Sequence, residues 1–331
     1  MFLTIFVSVK GILILNTGSP KSDQPKDVGQ FIGDMLSDGK VLDLPAPFRQ
    51  ILARCVIAPR RRYESAHHYQ LIWDYEHHSS PLVFHAKNLS CKLEEKSGTS
   101  VEYAFRYGHP NAADAISKLE ERLPGMTELV VMHLFPHFAQ SSYQTAVDEV
   151  LKYYNKTPKP YSIRVIKPYY NHPEFIRALS LQVKPFVEKP YDKLLFSYHS
   201  LPLSHLKREE ARGKDYDYVF QTEETQRLVS EYLGLDKTKN AIGYSSAIAK
   251  NWKEPFLDDV IEQMPSKGDK NIVVACAGFP ADNLESLFDI GVQATEIFKQ
   301  KGGENLSFVP GLNSEDTWVD AVWNIINDPK A

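Results

Sequence analysis

The sequence predicts an α/β protein built from two similar doubly wound halves, each with a parallel sheet flanked by helices. Short apolar runs of strand length alternate with longer runs of helical spacing from residue 12 to residue 154. Such alternation is typical of parallel sheets with right-handed crossovers. It stops in a proline- and lysine-rich stretch at 155–161 and then restarts in the same pattern. The length of 331 residues suits about two domains, with the boundary between residues 158 and 159.

Composition limits the class of protein. Hydrophobic residues make up 43% of the chain and charged residues 24%, which is ordinary for a globular protein. The net charge of −4 argues against nucleic acid as a partner. Three cysteines, Cys55, Cys91 and Cys276, are far apart and form no C-x-x-C pair. They disfavour a disulfide framework, a structural zinc site and a four-cysteine iron–sulfur cluster, and we expect a reducing cytoplasm.

The N-terminal stretch 1–16 is apolar apart from Lys10. It is too short to cross a bilayer as a helix. It also lacks the basic residues and the small-residue cleavage site that flank the apolar run of a signal peptide. We expect a buried first strand at 11–16, preceded by an extension to which the sequence assigns no role.

In the first half, spacing predicts further strands at 101–106 and 128–135. Helices are predicted over residues 28–36, 48–57, 112–123 and 141–154. Pro59 is expected to end the helix at 48–57. The triplet Arg60–Arg62 would then be a solvated helix end or, alternatively, a cationic rim for an anionic ligand or a membrane surface. His67, His68, His77 and His78 form two adjacent pairs. Neighbouring helical residues point about 100° apart, so we expect surface histidines rather than metal ligands.

In the second half, the same pattern predicts four strands and five helices. The strands are expected at residues 161–166, 193–197, 240–246 and 271–276. The helices are expected at residues 173–185, 218–233, 255–264, 284–299 and 318–326. Neither G-x-G-x-x-G nor G-x-x-x-x-G-K-[ST] occurs, so a nucleotide site of the usual kinds is not supported.

The first candidate site residue is His199, which ends the apolar run that begins at Leu194. Ligands of open parallel sheets bind outside the carboxyl ends of the strands. An imidazole there, with an ordinary pKa of about 6.5, can act as acid, base or metal ligand near neutral pH. The alternative is a polar strand end bonded to a backbone carbonyl.

The second candidate is a pair of carboxylates after the strand that ends at Cys276. A helix is expected to begin near Asp282 or Asn283, both of which suit a helix cap. Glu285 would lie in the first turn and Asp289 four residues on, on the same face. The pair could transfer protons or handle a cation. The alternative is that acidic residues are simply favoured in a first helical turn.

Nine short motifs spread over nearly the whole chain carry a family resemblance. They are Leu-Asn-Thr-Gly-Ser-Pro at 15–20, Leu-Ser-Asp at 36–38, Ala-Pro-Arg-Arg at 58–61, Ser-Pro-Leu at 80–82, Phe-Arg-Tyr-Gly-His-Pro at 105–110, Leu-Phe-Pro-His-Phe at 134–138, Ser-Tyr-His-Ser-Leu-Pro at 197–202, Phe-Pro-Ala-Asp-Asn-Leu-Glu-Ser-Leu at 279–287 and Gly-Leu-Asn at 311–313. In this order they resemble the ferrochelatases, which insert ferrous iron into a porphyrin at the end of haem synthesis.

The resemblance implies two flavodoxin-like, chelatase-type halves with a porphyrin cleft between them. Residues 1–158 with the C-terminal helix 308–331 would form the first half, and residues 159–307 the second. By this likeness His199 accepts pyrrole protons, and Glu285 is its partner across the pocket. His199, Glu285 and Asp289 would handle the metal. Four residues are implied to line the porphyrin pocket: Thr17, Arg106, Tyr107 and Ser141.

The sequence also departs from the family pattern. Further acids usually follow Glu285 along the helix, where this chain has Gly291 and Gln293. The Gln-Ser-Arg and Gly-Arg signature is replaced over 244–250, ahead of Trp252, and Gly-Asp-Pro-Tyr is replaced by Gly-Lys-Asp-Tyr at 213–216. A tetrapyrrole- or haem-binding protein that has lost metallation is therefore an alternative. A chelatase for another metal or ring is a third reading.

The expected substrates are ferrous iron and protoporphyrin IX, with coproporphyrin III as the other candidate ring. Thr17 favours protoporphyrin, because coproporphyrin-using relatives have Tyr there. We expect no cofactor beyond the substrate Fe²⁺ and no iron–sulfur cluster. The protein is expected in the cytoplasm, with peripheral contact at the inner face of the membrane, as a monomer or a homodimer.

Overall fold

A computed structural model, which describes residues 9–331, contains two separate four-stranded parallel sheets. The strands are β1 Lys10–Gly18, β2 Val101–Tyr107, β3 Glu128–His133, β4 Ser162–Val165, β5 Lys193–His199, β6 Asn240–Ser245, β7 Asn271–Ala275 and β8 Asn305–Val309. The first sheet has the order β2-β1-β3-β4 and the second the order β6-β5-β7-β8. The predicted fold class, two parallel α/β halves, is confirmed.

Helices cover the sheets and connect their strands. They are α1 Pro25–Leu36, α2 Ala46–Ile51, α3 Ala58–Ile72, α4 Pro81–Ser97, α5 Ala112–Arg122, α6 Thr145–Tyr154, α7 Pro173–Val187, α8 Leu203–Glu210, α9 Tyr218–Leu233, α10 Leu257–Gln263, α11 Thr295–Gln300 and α12 Asp316–Asn327. Three π-helical segments precede α3, α6 and α11: Leu52–Ile57, Gln140–Gln144 and Glu285–Ala294. In the described part of the chain, no helix has both the length and the apolar character needed to cross a membrane.

The central strands are apolar because helices cover both faces of each sheet. In β1, the run 12–15 is completely or almost completely buried, and so is the run 194–196 in β5. The last helix, α12, packs on both α4 and α7. Trp318 of α12 is fully buried, and its ring lies 6.0 Å from that of Phe175 in α7. These contacts tie the C-terminal helix to elements of both sheets.

The position of β4 corrects the predicted boundary between residues 158 and 159. Ser162–Val165 pairs with Glu128–Val131 of β3 and so completes the first sheet. The proline-rich stretch 155–161 is only the surface loop between α6 and β4. Such a composition marks a turn, but it does not reveal which sheet the following strand joins.

Pro59 does not end a helix, contrary to the sequence prediction. Helical structure continues from α2 through the π-helical segment Leu52–Ile57 into α3, where Pro59 occupies the first turn. Proline is disfavoured inside a regular α-helix because it has no N–H to donate to the preceding turn, but the turn that precedes Pro59 is π-helical. Arg60–Arg62 therefore lies within α3, not beyond a helix end.

Other elements were predicted incompletely. The pattern did not reveal α4, α8 or β8. Residues 1–8 of the predicted N-terminal extension lie outside the described residues.

Candidate active site

His199 is the last residue of β5, as predicted, and it is half-buried. It pairs with Ser245 at the end of β6. The ring Nδ1 lies within hydrogen-bond distance of the Ser200 carbonyl oxygen. A carbonyl can only accept, so Nδ1 carries the proton, and Nε2 is the acceptor of the neutral ring. Burial lowers the pKa of His199, although the Ser200 carbonyl and the charge of Asp289 oppose this shift.

Glu285 and Asp289 lie on the π-helical segment that follows β7. The side chain of Asn283 caps its start, accepting from the Ser286 N–H at 3.0 Å. Asp282 has a different role from the cap that was considered for it. Its buried carboxylate accepts from Ser286 Oγ at 2.9 Å and from Asn313 Nδ2 at 2.7 Å. The helix start is thus fastened to the Gly-Leu-Asn motif at 311–313.

The two carboxylates and the histidine share one electrostatic environment. Burial raises the pKa of Glu285. Burial and the charge of Glu285 raise the pKa of Asp289 to about 6, against opposing effects of Ser246 and His199. Carboxyls with raised pKa values exchange protons near neutral pH, which suits proton transfer.

A second cluster forms at the carboxyl end of β2, around Asp38. The Arg106 guanidinium pairs with its carboxylate at 2.6 Å. The Tyr107 hydroxyl donates to it at 3.0 Å and the Thr145 hydroxyl at 2.5 Å. Burial would raise the pKa of Asp38, but these donors and the Lys40 N–H hold it below its usual value. Asp38 therefore neutralises and orients the predicted pocket residue Arg106.

Thr17 and Ser141 adjoin this second cluster. Thr17 is half-buried and precedes Gly18, which pairs with Tyr107. A Cβ on Gly18, at φ +108°, would lie 1.8 Å from the Tyr107 carbonyl oxygen, so a glycine is required there. Ser141 is half-buried in the π-helical segment that leads directly into Thr145.

Two contacts join the first half to the second beside these clusters, one at Phe288, next to Asp289, and one at Gln140, next to Ser141. The His68 ring of α3 stacks on the Phe288 ring, with centroids 3.8 Å apart. At another point, the Gln140 N–H donates to Glu209 of α8 at 2.8 Å. His68 is half-buried, which corrects its assignment as a surface histidine; sequence alone could not show that Phe288 covers it.

The predicted metal-handling set is not gathered into a closed centre. Within residues 9–331, no three His, Cys, Asp or Glu side chains are close enough together to hold one metal ion. A cavity of about 620 Å³ lies elsewhere, near Lys193 and Asp259, and none of the predicted site residues lines it.

Sequence reasoning missed three residues around the predicted ones. Asp38 belongs to the Leu-Ser-Asp motif at 36–38, but no sequence pattern indicated that its carboxylate would pair with Arg106. Tyr218 donates its hydroxyl to the His199 carbonyl at 3.0 Å, and Ser246 donates to Asp289 at 2.9 Å. Neither has a signal in the sequence, because each depends on contacts between distant segments.

Two parallel sheets with a histidine and acidic residues at their carboxyl ends define a chelatase-type protein. The fold is similar to that of a solved structure, SirB from Bacillus subtilis with Fe³⁺, with a TM-score of 0.57 and 12% identity, over 96% of this chain and 94% of that one. At that identity the likeness concerns the fold alone.

Sequence comparisons give the family. A ferrochelatase family model matches residues 9–329. A ferrochelatase from Porphyromonas gingivalis is 35% identical, over 96% of this chain and 95% of that protein. One from Legionella pneumophila is 32% identical, over 96% and 99%. The chain belongs to the ferrochelatase family. It is therefore an enzyme, a lyase that inserts Fe²⁺ into a porphyrin for haem synthesis, and these predictions are confirmed.

Proposed function

We propose that the porphyrin is protoporphyrin IX and that His199 accepts its pyrrole protons. Insertion of Fe²⁺ releases two protons from the ring nitrogens. The observation that carries this role is the hydrogen bond from Nδ1 to the Ser200 carbonyl, which leaves Nε2 of His199 as the acceptor. Asp289 is close enough to shift the pKa of His199, so an imidazolium formed there has a neighbouring negative charge.

Glu285 and Asp289 handle the metal or the released protons. Both are half-buried on one π-helical segment, and π-helical turns are frequent at functional sites. Residues four or five apart lie on one side of such a segment, so the two carboxylates make a short path. Burial disfavours two neighbouring negative charges, and Fe²⁺ or a proton relieves that repulsion.

Thr17, Arg106, Tyr107 and Ser141 form the wall that holds the ring. The Arg106–Asp38 ion pair, at 2.6 Å, fixes the polar side of this wall. Binding energy from the wall can pucker the macrocycle and expose its nitrogen lone pairs, which is strain supplied by contacts remote from the metal.

The test is an anaerobic assay with Fe²⁺ and either protoporphyrin IX or coproporphyrin III, followed by visible absorbance. We expect insertion into protoporphyrin at the higher kcat/KM. A preference for coproporphyrin would overturn the ring assignment but not the activity. Binding of both rings without insertion would contradict the activity itself.

We also propose that the protein is cytoplasmic and touches the inner face of the membrane reversibly through α2 and α3. Phe48, Ile51 and Tyr63 are 71%, 60% and 62% exposed, and Arg60 and Arg61 are exposed beside them. Arg49 of α2 donates to the Ser37 carbonyl at 2.8 Å. Ser37 precedes Asp38, so this exposed surface of α2 and α3 adjoins the porphyrin wall. Apolar side chains with a cationic edge suit an anionic bilayer surface.

Flotation with anionic liposomes at low salt tests this contact. We expect the wild type to float and a Phe48→Ser, Ile51→Ser double variant to remain in solution. Leu71→Ser is the matched control, since Leu71 is an exposed apolar residue at the far end of α3. Absence of wild-type flotation would refute the membrane contact.

We propose, finally, that no iron–sulfur cluster is bound. A cluster within one chain needs four cysteine ligands in the usual case, and this chain has three. Cys276 is buried, whereas Cys55 and Cys91 are exposed. Visible cluster absorbance with matching inorganic sulfide in anaerobically purified protein would contradict this.

A further inference from the structure

Ser246 connects the end of β6, the strand that pairs with the strand of His199, to the π-helical segment of Asp289. It follows Ser245, the last residue of β6, which pairs with His199. Its hydroxyl donates to Asp289 Oδ2 at 2.9 Å across 43 residues of chain. A single side chain therefore links the end of β6 to the π-helical segment Glu285–Ala294.

The backbone around Ser246 is held in a defined position. The Ser200 N–H donates to the Ser245 carbonyl at 2.8 Å, and the Ser245 hydroxyl donates to the Tyr198 carbonyl at 3.2 Å. Ser246 itself has a φ of +58°, an uncommon conformation for a residue with a Cβ. Such conformations persist where surrounding contacts determine them, and they cluster at functional sites.

The hydrogen bond engages one oxygen of Asp289. A carboxylate with one oxygen fixed by a hydroxyl has a defined plane, so its other oxygen has a defined direction. His199 and Glu285 both act electrostatically on this carboxylate. The direction in which Asp289 presents its second oxygen therefore matters to the two residues assigned to proton and metal handling.

We propose that Ser246 is a positioning residue for metal insertion, which holds the carboxylate of Asp289 in the orientation that serves His199 and the incoming Fe²⁺. This inference rests on the proposed function of Asp289. It assigns a role to a position in the segment 244–250, where the chain departs from the family signature. Ser246 acts through Asp289 and does not itself touch the ring.

Two variants separate the hydroxyl from the backbone conformation. Ser246→Gly removes the hydroxyl and keeps the positive φ without strain. Ser246→Asn also tolerates that conformation and retains a hydrogen-bond donor. The free energy of a hydrogen bond to a charged group corresponds to about a tenfold change in a rate constant, so Ser246→Gly should lower kcat/KM for Fe²⁺ about tenfold. It should change KM for porphyrin less than about twofold, because Ser246 acts through Asp289. Ser246→Asn should recover most of the loss.

A double-mutant cycle with Asp289→Asn tests whether the effect passes through Asp289. In the Asp289→Asn background, Ser246→Gly should have no further effect. Equal losses in both backgrounds would overturn the proposal. So would an unchanged kcat/KM for Fe²⁺ in Ser246→Gly.

A measurement that needs no catalysis separates this inference from the proposed function. In protein labelled with ¹³C in its aspartate carboxyls, the Asp289 resonance is identified by its loss in Asp289→Asn. It should move in Ser246→Gly, and an unmoved resonance would overturn the inference. A wild type that inserts no iron while this resonance still moves would refute the proposed function and leave the Ser246–Asp289 tie established.

Discussion

The hydroxyl of Tyr218 donates to the backbone carbonyl of His199 at 3.0 Å. Tyr218 is buried at the start of α9, so the strand end that carries His199 is held in place by a second element of the fold. His137 packs edge-on against Tyr218, with ring centroids 6.1 Å apart. The position of His199 thus depends on a buried aromatic layer as well as on the sheet.

Tyr218→Phe should reduce kcat with little change in porphyrin affinity. It leaves the His199 carbonyl without its donor, which also costs about 1–2 kcal/mol of unfolding free energy. Steady-state kinetics and urea unfolding check both effects. Tyr232→Phe is the control, because Tyr232 is an exposed residue on the same helix. Unchanged kcat in Tyr218→Phe would show that the sheet alone positions His199.

His199→Ala should abolish metal insertion while the fold and porphyrin binding survive. The change removes the proposed proton acceptor but leaves Thr17, Arg106 and Tyr107 of the proposed porphyrin wall intact. Fluorescence quenching measures porphyrin affinity, and absorbance measures Fe²⁺ insertion. His67→Ala, at an exposed position of α3, should behave as wild type. Insertion by His199→Ala at close to the wild-type rate would mean that the histidine is structural.

Glu285→Gln should lower turnover while preserving shape. The amide fills the same space, but it can neither accept a proton at neutral pH nor attract Fe²⁺. We expect kcat to fall by at least about tenfold, as for loss of a general acid–base group, with porphyrin affinity retained. The matched control is Glu296→Gln, at an exposed position of α11. Equal turnover in the two variants would remove Glu285 from the mechanism.

Asp38→Asn should weaken both stability and porphyrin binding. The ion pair with Arg106 is largely buried, with side-chain exposures of 9% and 22%, so its loss leaves a poorly solvated cation. We expect a cost of about 2–4 kcal/mol. Asp34→Asn, which breaks the exposed pair with Arg54, should cost less than about 1 kcal/mol. Similar costs for the two variants, measured by urea unfolding, would refute the role given to Asp38.

Glu209 should make stability fall as pH rises towards neutrality. Burial raises its pKa from 4.5 to about 7, against opposing effects of the Gln140 N–H, Arg212 and Arg208. Between these two values the folded state binds more protons than the unfolded state, so the free energy of unfolding decreases with increasing pH. Relative to Glu209→Gln, wild type should lose up to about 3 kcal/mol between pH 4.5 and 7.5.

Urea unfolding at several pH values measures this dependence. Glu210→Gln is the control, because Glu210 is exposed on the same helix and should leave the pH profile of wild type unchanged. Parallel profiles for wild type and Glu209→Gln would contradict the raised pKa.

Local patterns predicted the elements that present the site. The run 194–199 has the length and composition of a buried strand, and its final histidine needs no tertiary information to be noticed. The acidic helix start at Glu285 follows from its cap and its neighbouring strand in the same way. The prediction that Pro59 ends a helix was wrong, because the effect of a proline depends on the helical turn that precedes it. Here that turn belongs to the π-helical segment Leu52–Ile57.

Sequence by itself determined the alternation of strands and helices, the histidine at the end of β5 and the carboxylates that open the acidic helix, since each depends on residues adjacent in the chain. Tertiary structure alone decided that β4 joins the first sheet, that Asp38 neutralises Arg106 across 68 residues and that Ser246 holds Asp289 across 43. The physical reason is that periodicity records which faces of an element are apolar. Strand partners and charge partners depend instead on free energies of contact between segments that meet only in the folded protein.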